Sequence, residues 1–252
     1  MKQIKNKKFL IFLAIILLGG VYLYLAHFFI YYRLGHSGLL DIERQAVYDI
    51  GDSQTSSTTL VYVALGDSFT AGRGASSYQE SFPYLLAEEL AKDKSVKITL
   101  KNFSSSGART SHLIAGQLDQ AISAKPDIIT LLIGTNDVHG NIKEAVFQKN
   151  YIYILDQLVQ KTPAKIYLIG LPNNGTDGLL WPPYNYYFRQ KTKTYNQIIK
   201  GLAQDYGLVY VDLEKALVEL SQQDGYYSQD LFHPSTQGYQ LWSQIIYADI
   251  NK

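Results

Sequence analysis

TLVYVALGDSFTAGRG, Thr59 to Gly74, joins a short apolar run to an abrupt polar turn. Leu60–Leu65 has the length and β-branched content of a buried strand. It stops at Gly66-Asp67-Ser68, and Gly72 and Gly74 keep the following turn open. A serine at the carboxyl end of a buried parallel strand stands where open α/β sheets place their ligands. If a helix starts just beyond it, nearby backbone N–H groups can meet a developing negative charge. Gly-Asp-Ser is also ordinary turn chemistry, so on this ground Ser68 reads as well for a turn residue as for a nucleophile. The chain carries a second copy, Gly51-Asp52-Ser53, which runs into the polar tract Gln54–Thr58. No apolar strand is expected to end on that copy, and it reads as linker.

Downstream, the pattern of strand followed by polar turn recurs. Lys97–Phe103 alternates as a strand and leads into Ser104-Ser105-Ser106-Gly107. Ile128–Ile133 is the most apolar strand, as a central parallel strand should be, and ends in Gly134-Thr135-Asn136-Asp137. Strands are also expected at Lys165–Gly170 and Leu208–Val211. Helical patterns separate them, over about 82–92, 111–123, 141–161, 188–206 and 213–220, with a last helix over 235–250. Ser81 is placed as an N-cap and Pro83 lies in a first turn, where its missing N–H costs little. Five strands alternating with helices predict an α/β domain whose parallel sheet is covered on both faces. Ser68, Gly107 and Asn136 each follow one of the first three strands, so the topology gathers them on one rim.

The chain has 252 residues, enough for one well-cored domain plus an appendage. Its net charge of +1 supplies no field that would draw it to nucleic acid. With 46% apolar residues it is not a disordered chain. The absence of cysteine removes disulfides, thiolate metal sites and a cysteine nucleophile. No H-E-x-x-H or comparable ligand cluster suggests a metal, and no cofactor is expected.

Residues 9–32, FLIFLAIILLGGVYLYLAHFFIYY, carry no formal charge beyond a protonatable His27. Roughly 20 apolar residues span a bilayer, so this run suffices. Lys2, Lys5, Lys7 and Lys8 precede it and Arg33 alone follows closely, which orients the amino terminus to the cytoplasm and the rest outside. A cleaved signal has a shorter apolar region and a small-x-small exit, whereas Ala26-His27-Phe28-Phe29 is bulky. The expected organisation is a basic cytoplasmic tail (1–8), an uncleaved single-pass anchor (9–32), a linker or stalk (33–58) carrying a short helix near 39–48, and an extracytoplasmic domain (59–252).

Serine catalysis needs a base, a group that orients the base, and donors for the oxyanion. Of five histidines, His27 lies in the membrane run and His36 in the stalk, while His112 and His139 sit beside strand-end loops and stay candidates. His233 is better placed, because Asp230 precedes it by three residues in a turn and can accept its Nδ1–H. The same two residues also read as caps of the last helix. Asn136 offers an uncharged amide donor or fills a turn, and Gly107 lets backbone approach closely or is a plain loop glycine.

Taken together, these residues resemble the SGNH (GDSL) hydrolase family. Its four blocks appear in order as Gly66-Asp67-Ser68-Phe69-Thr70, Ser106-Gly107, Gly134-Thr135-Asn136-Asp137 and Asp230-Leu231-Phe232-His233-Pro234, over about residues 59–250. The resemblance implies a flavodoxin-like, three-layer α/β/α sandwich with a five-stranded parallel sheet, and a metal-free ester hydrolase. It implies Ser68 as nucleophile, His233 as base and Asp230 as its orienting carboxylate. The Ser68 N–H, the Gly107 N–H and the Asn136 side chain would form the oxyanion hole. Phe69 stands where the name motif has leucine, and the tripled serine before Gly107 is a second departure. An α/β-hydrolase would want a G-x-S-x-G elbow, which Ser68 lacks. A non-catalytic anchored binding protein would keep the sheet and lose the triad.

The segment Leu171–Tyr187 is long for a connection in a compact α/β domain, where ~2–6 residues suffice. It should emerge on the rim of Ser68, and its Leu179, Trp181 and Tyr184 are candidates to line an acyl groove. The expected substrate is therefore a lipid-like acyl ester, with a carbohydrate O-acetyl ester of the cell envelope as the rival, since aromatic faces also stack on sugars.

Overall fold

The computed structural model describes residues 2–35, 39, 46–51, 58–173, 178–213 and 225–251. Helix α1 (Lys2–Gly35) precedes the domain. The domain then runs β1 (Ala46–Ile50), β2 (Thr59–Gly66), α2 (Phe82–Lys94), β3 (Lys97–Asn102), α3 (Thr110–Gly116), α4 (Leu118–Ser123) and β4 (Ile128–Leu132). It continues through α5 (Thr135–His139), α6 (Glu144–Lys161), β5 (Lys165–Ile169), α7 (Tyr184–Asp205) and β6 (Val209–Val211) to the last helix, α8 (Thr236–Ile250).

The strands form one sheet in the order β1-β3-β2-β4-β5-β6. From β3 to β6 every neighbour is parallel, and β1 alone runs antiparallel, against β3. β3 lies on one side of β2 and β4 on the other, so right-handed crossovers send α2 to one face and α3, α4, α6 and α7 to the opposite face. Accordingly α2 packs with α8, while α3, α4, α6 and α7 pack among themselves. The result is the three-layer α/β/α sandwich expected, and β4, with all five residues buried, is its centre. The order in which strands are added reverses at β2, with β3 laid on one side and β4 on the other, so the crevice for ligands opens at the carboxyl ends of these parallel strands.

Among the described residues the sheet has six strands rather than five. Ala46–Ile50, placed by the sequence reading in the linker and partly in a short helix, is an edge strand registered against Asn102–Ile98. Its apolar signal is short and half of it faces outward: Ile50 is buried, Val47 is exposed, and Asp49 accepts a hydrogen bond from Thr99. A charged, brief edge strand is how sheets blunt an open edge. A strand therefore does end on Gly51, but it runs antiparallel to the rest and delivers its carboxyl end away from the rim of Ser68. Ser53 and His36 lie outside the described residues, as does most of the helix expected at 213–220.

Two helix boundaries also differ. The helix expected over 111–123 breaks into α3 and α4 at Gln117, whose side chain is committed to the sheet. Helix α7 starts at Tyr184 rather than near 188, shortening the loop before it.

Helix α1 is long and apolar enough to cross a membrane over Asn6–Gly35, and most of it is exposed. Its carboxyl-terminal part does not float free. Ile30 joins Leu179 and Leu180 in a small buried cluster, with Phe29, Leu34, Tyr184, Phe188, Leu231 and Phe232 packed around them.

Candidate active site

The turn after β2 is built by its own backbone. Ala71 N–H donates to the Asp67 carbonyl at 2.9 Å and Arg73 N–H to the Ser68 carbonyl at 3.0 Å. The Asp67 carboxylate accepts from Phe69 N–H at 3.0 Å, which fixes the start of the turn. Two buried amides pin it from outside. Gln117 accepts from Gly66 N–H at 3.0 Å and donates to the Gly66 carbonyl at 2.8 Å. Asn102, at the end of β3, donates to the Thr70 carbonyl at 2.8 Å. Gly74 brings the turn against the distant His233-Pro234 segment, since a Cβ there would run into the Pro234 carbonyl.

That distant segment is itself a tight loop. Ser228 N–H donates to the His233 carbonyl at 2.8 Å, and Leu231 adopts a left-handed φ of 61°. Such a conformation in a branched residue is costly and persists only where the surroundings enforce it. Its outcome is a carboxylate held by several donors. Asp230 Oδ1 accepts from Ser228 Oγ at 2.8 Å and from the N–H groups of Phe232 and His233, each at 2.9 Å. Asp230 Oδ2 lies 2.6 Å from His233 Nδ1, and His233 Nε2 lies 2.8 Å from Ser68 Oγ. All three side chains are buried.

The electrostatics are consistent with that arrangement. Burial opposes the charge on Asp230, but the bond and charge of His233 and the backbone donors outweigh it and bring its pKa down to about 2. For His233 burial dominates over the help of Asp230 and lowers its pKa, so the ring rests neutral at neutral pH. With Asp230 ionised, Nδ1 carries the proton and Nε2 is left to accept the Ser68 hydroxyl. A neutral imidazole thus stands ready to take a proton from Ser68.

The other expected residues fall around this relay. Gly107 follows β3 with φ 76°, and a Cβ added to it would meet open space, so backbone conformation rather than crowding favours glycine there. Asn136 sits in α5, with Nδ2 donating to the Ala108 carbonyl at 3.1 Å and lying 3.4 Å from Asp67 Oδ2. Ser104 Oγ is committed to Asn102 at 2.6 Å. His112 caps α3, its Nδ1 accepting from Arg109 N–H at 3.3 Å. His139 packs between the rings of Phe188 and Phe232, at 4.4 and 5.3 Å, and burial lowers its pKa to about 4. Neither is joined to Ser68.

The three residues expected to line an acyl groove are placed differently. Leu179 is fully buried beside Ile30 of α1 and has no surface left for a substrate. Trp181 stacks on Phe29 of α1 at 5.2 Å. Tyr184 borders an open groove of about 1020 Å³, whose walls also include Ile142, Phe188 and Lys191. From Phe188 a line of ring contacts runs through His139 and Phe232 to His233, so one aromatic wall joins the groove to the relay.

The sequence model of the GDSL-like lipase/acylhydrolase family matches residues 64–241. The chain belongs to that family of ester hydrolases. Among curated relatives of this GDSL hydrolase is the spore germination lipase LipC of Bacillus licheniformis, 28% identical over 211 residues, or 75% of this chain and 96% of the relative. Solved structures share the fold. A lipase/acylhydrolase from Enterococcus faecalis superposes with a TM-score of 0.64 at 23% identity, covering 76% of this chain and 95% of the other. Axe2, an acetylxylan esterase from Geobacillus stearothermophilus, gives 0.59 at 18%, covering 77% and 94%.

Sequence reasoning missed two supports of this GDSL hydrolase's rim. Asn102 closes a strand whose alternation gave no reason to single it out. Gln117 did leave a signal, since it falls on the Leu113, Ile114 and Leu118 side of the expected helix, where a polar residue must find a buried partner.

Proposed function

We propose that this chain is a membrane-anchored serine esterase that cleaves lipid-like acyl esters on the far side of the cytoplasmic membrane. The observation that carries the catalytic part is the continuous relay from Ser68 Oγ through His233 to Asp230. Ser68 Oγ attacks the ester carbonyl while His233 Nε2 takes its proton. The tetrahedral oxyanion is met by the N–H groups of Ser68 and Gly107 and by the Asn136 amide. Collapse expels the alcohol, which receives the proton from His233, and leaves an acyl group on Ser68. Water, deprotonated by the same ring, then attacks the acyl-enzyme, and His233 returns the proton to Ser68 Oγ as the acyl bond breaks and the acid leaves. Asp230 stays ionised throughout, holding the tautomer and the developing imidazolium. No step calls for a metal or cofactor.

The lipid reading rests on the apolar helix α1 packed at the rim and on the likeness to LipC. A second reading, an O-acetylesterase acting on cell-envelope carbohydrate, draws on the tyrosines around the groove and on the fold shared with Axe2. Hydrolysis of p-nitrophenyl esters of rising chain length, beside acetylated glycans and with Ser68→Ala as control, separates the two. Medium or long chains are expected to be preferred. Strict preference for acetyl esters together with activity on acetylated glycan would replace the first reading with the second.

A further inference from the structure

Helix α1 and the loop before α7 meet at a defined level of α1, and that level fixes where the domain stands. The uncharged run opens at Phe9, just after Lys7 and Lys8. About 20 helical residues at ~1.5 Å each cross the ~30 Å hydrocarbon layer, which brings the far boundary to about Phe28. Trp181 stacks on Phe29 at 5.2 Å and on Tyr22 at 6.3 Å, both at 23° between planes. Tyr184 approaches His27 at 6.5 Å. Phe29 stands at that boundary and Tyr22 ~9 Å inside it, so Trp181, stacked on both, spans the level where tryptophan and tyrosine collect in membrane proteins.

The rest of this segment has the matching chemistry. Leu179 and Leu180 are buried with Ile30, Trp181 stacks on α1 and stays partly exposed, and Tyr186 and Tyr187 are exposed on the first turn of α7. A contiguous exposed apolar patch marks an interaction site, and with α1 read as an anchor the adjoining phase is the bilayer. Lys191 approaches the ring of Tyr187 and hydrogen-bonds Asn141, which sets a cation next to these aromatics. Leu231 and Phe232 join the same cluster, and Phe232 lies against the His233 ring at 5.0 Å. The patch is therefore continuous from α1 to the edge of the relay.

The geometry points to a membrane-docking face made by α1 and the segment Gly178–Tyr187, with Trp181, Tyr186 and Tyr187 seated in the interface of the leaflet on the domain's side. The domain does not hang on a stalk above the surface. Its rim is turned to the bilayer, and an acyl ester reaches Ser68 out of that leaflet past Leu231 and Phe232. This inference rests on the reading of α1 as a membrane anchor, and it adds the orientation and the direction of substrate access.

The chain has two tryptophans, and Trp242 is buried in the core, which makes Trp181 a reporter. Full-length protein is reconstituted in phosphatidylcholine–phosphatidylglycerol vesicles, with and without acyl chains brominated near the carbonyl end. Brominated lipid is expected to quench part of the emission, and Trp181→Phe to remove that quenchable part. In parallel, Tyr186→Ser is expected to lower hydrolysis of a vesicle-embedded long-chain ester by ~10-fold, about 1.4 kcal/mol, with a soluble short ester cleaved as before. Retention in the vesicles with Trp181 quenched by aqueous acrylamide but not by bromolipid overturns the docking face alone. Release of the protein by alkaline carbonate overturns the anchor reading and the docking face with it. Bromolipid quenching in a protein that refuses lipid esters supports the docking face and refutes only the lipid substrate.

Discussion

The side-chain amide of Gln117 grips the backbone of Gly66 at both ends, accepting from its N–H at 3.0 Å and donating to its carbonyl at 2.8 Å. Gly66 is the last residue of β2, two positions before Ser68, so this pair sets where the strand stops and the turn begins. Gln117→Leu leaves the Gly66 N–H buried without a partner, whereas the carbonyl keeps the Ser105 N–H at 3.2 Å. The expected cost is about 1–3 kcal/mol, seen as a Tm lower by about 2–4 °C for each kcal/mol, with kcat reduced. Gln117→Glu separates this pairing from simple packing. A protonated glutamic acid can still donate to the Gly66 carbonyl, so its stability should fall as pH rises and the acid ionises. A Tm for Gln117→Glu that parallels wild type across pH would refute the pairing role.

The base role proposed for His233 needs a neutral ring, and burial lowers its pKa below the ordinary 6.5. The kcat/KM of the enzyme should therefore stay level on descending from pH 8 and drop only on the acid side of 6.5, as the ring gains its proton. An acid limb centred above 6.5 would contradict the buried, neutral base. Ser68→Ala should abolish turnover, by on the order of 10⁶ in kcat, with Tm unchanged. A fluorophosphonate should label Ser68 and leave Ser53 unmodified by peptide mass spectrometry.

What the sequence revealed follows from how local each signal is. β4 is apolar at every position but Thr130 and β2 nearly so, hence their ends, and the residues just after them, could be located without tertiary information. Asp230 and His233 meet within one turn, so their pairing was visible as a spacing. Ser68 meets His233 only through the fold, and the family blocks, not periodicity, pointed to that contact. β1 was hidden because only one face of a five-residue strand is covered. The apolar and aromatic residues at 179–184 were plain to see, but hydrophobicity does not name its partner. A reading that gave them to a substrate was as consistent with the sequence as the helix they pack on.

The proposed topology, an uncleaved α1 with its basic end in the cytoplasm, would place the domain outside. Protease added to intact cells should then degrade the domain while a cytoplasmic marker survives, and the purified mature protein should retain Lys2–Lys8. Protection equal to that of the marker would reverse the topology. A mature terminus near residue 30 would refute retention.

Asn136 separates stabilisation of a transition state from upkeep of a loop. At rest its Nδ2 donates to the Ala108 carbonyl at 3.1 Å, next to Gly107, and lies 3.4 Å from the buried Asp67 carboxyl. Burial, offset by the Phe69 N–H and reinforced by Asp137, raises the pKa of Asp67 to about 7. The amide thus faces an acid only partly ionised at neutral pH, and it stands among the backbone that would receive an oxyanion. Because that charge exists only once Ser68 has attacked, Asn136→Ala should lower kcat by about 10²–10³, or 2.7–4 kcal/mol, with KM nearly unchanged. Asn136→Asp keeps the size but offers no amide donor and adds a carboxylate near Asp67, so it should be no more active than the alanine variant and should lose stability as pH rises. If Asn136 served the loop alone, Asn136→Ala would melt earlier while the folded fraction turned over at the wild-type rate. Active-site titration with a fluorophosphonate, which counts folded and competent enzyme, makes that distinction from a single preparation.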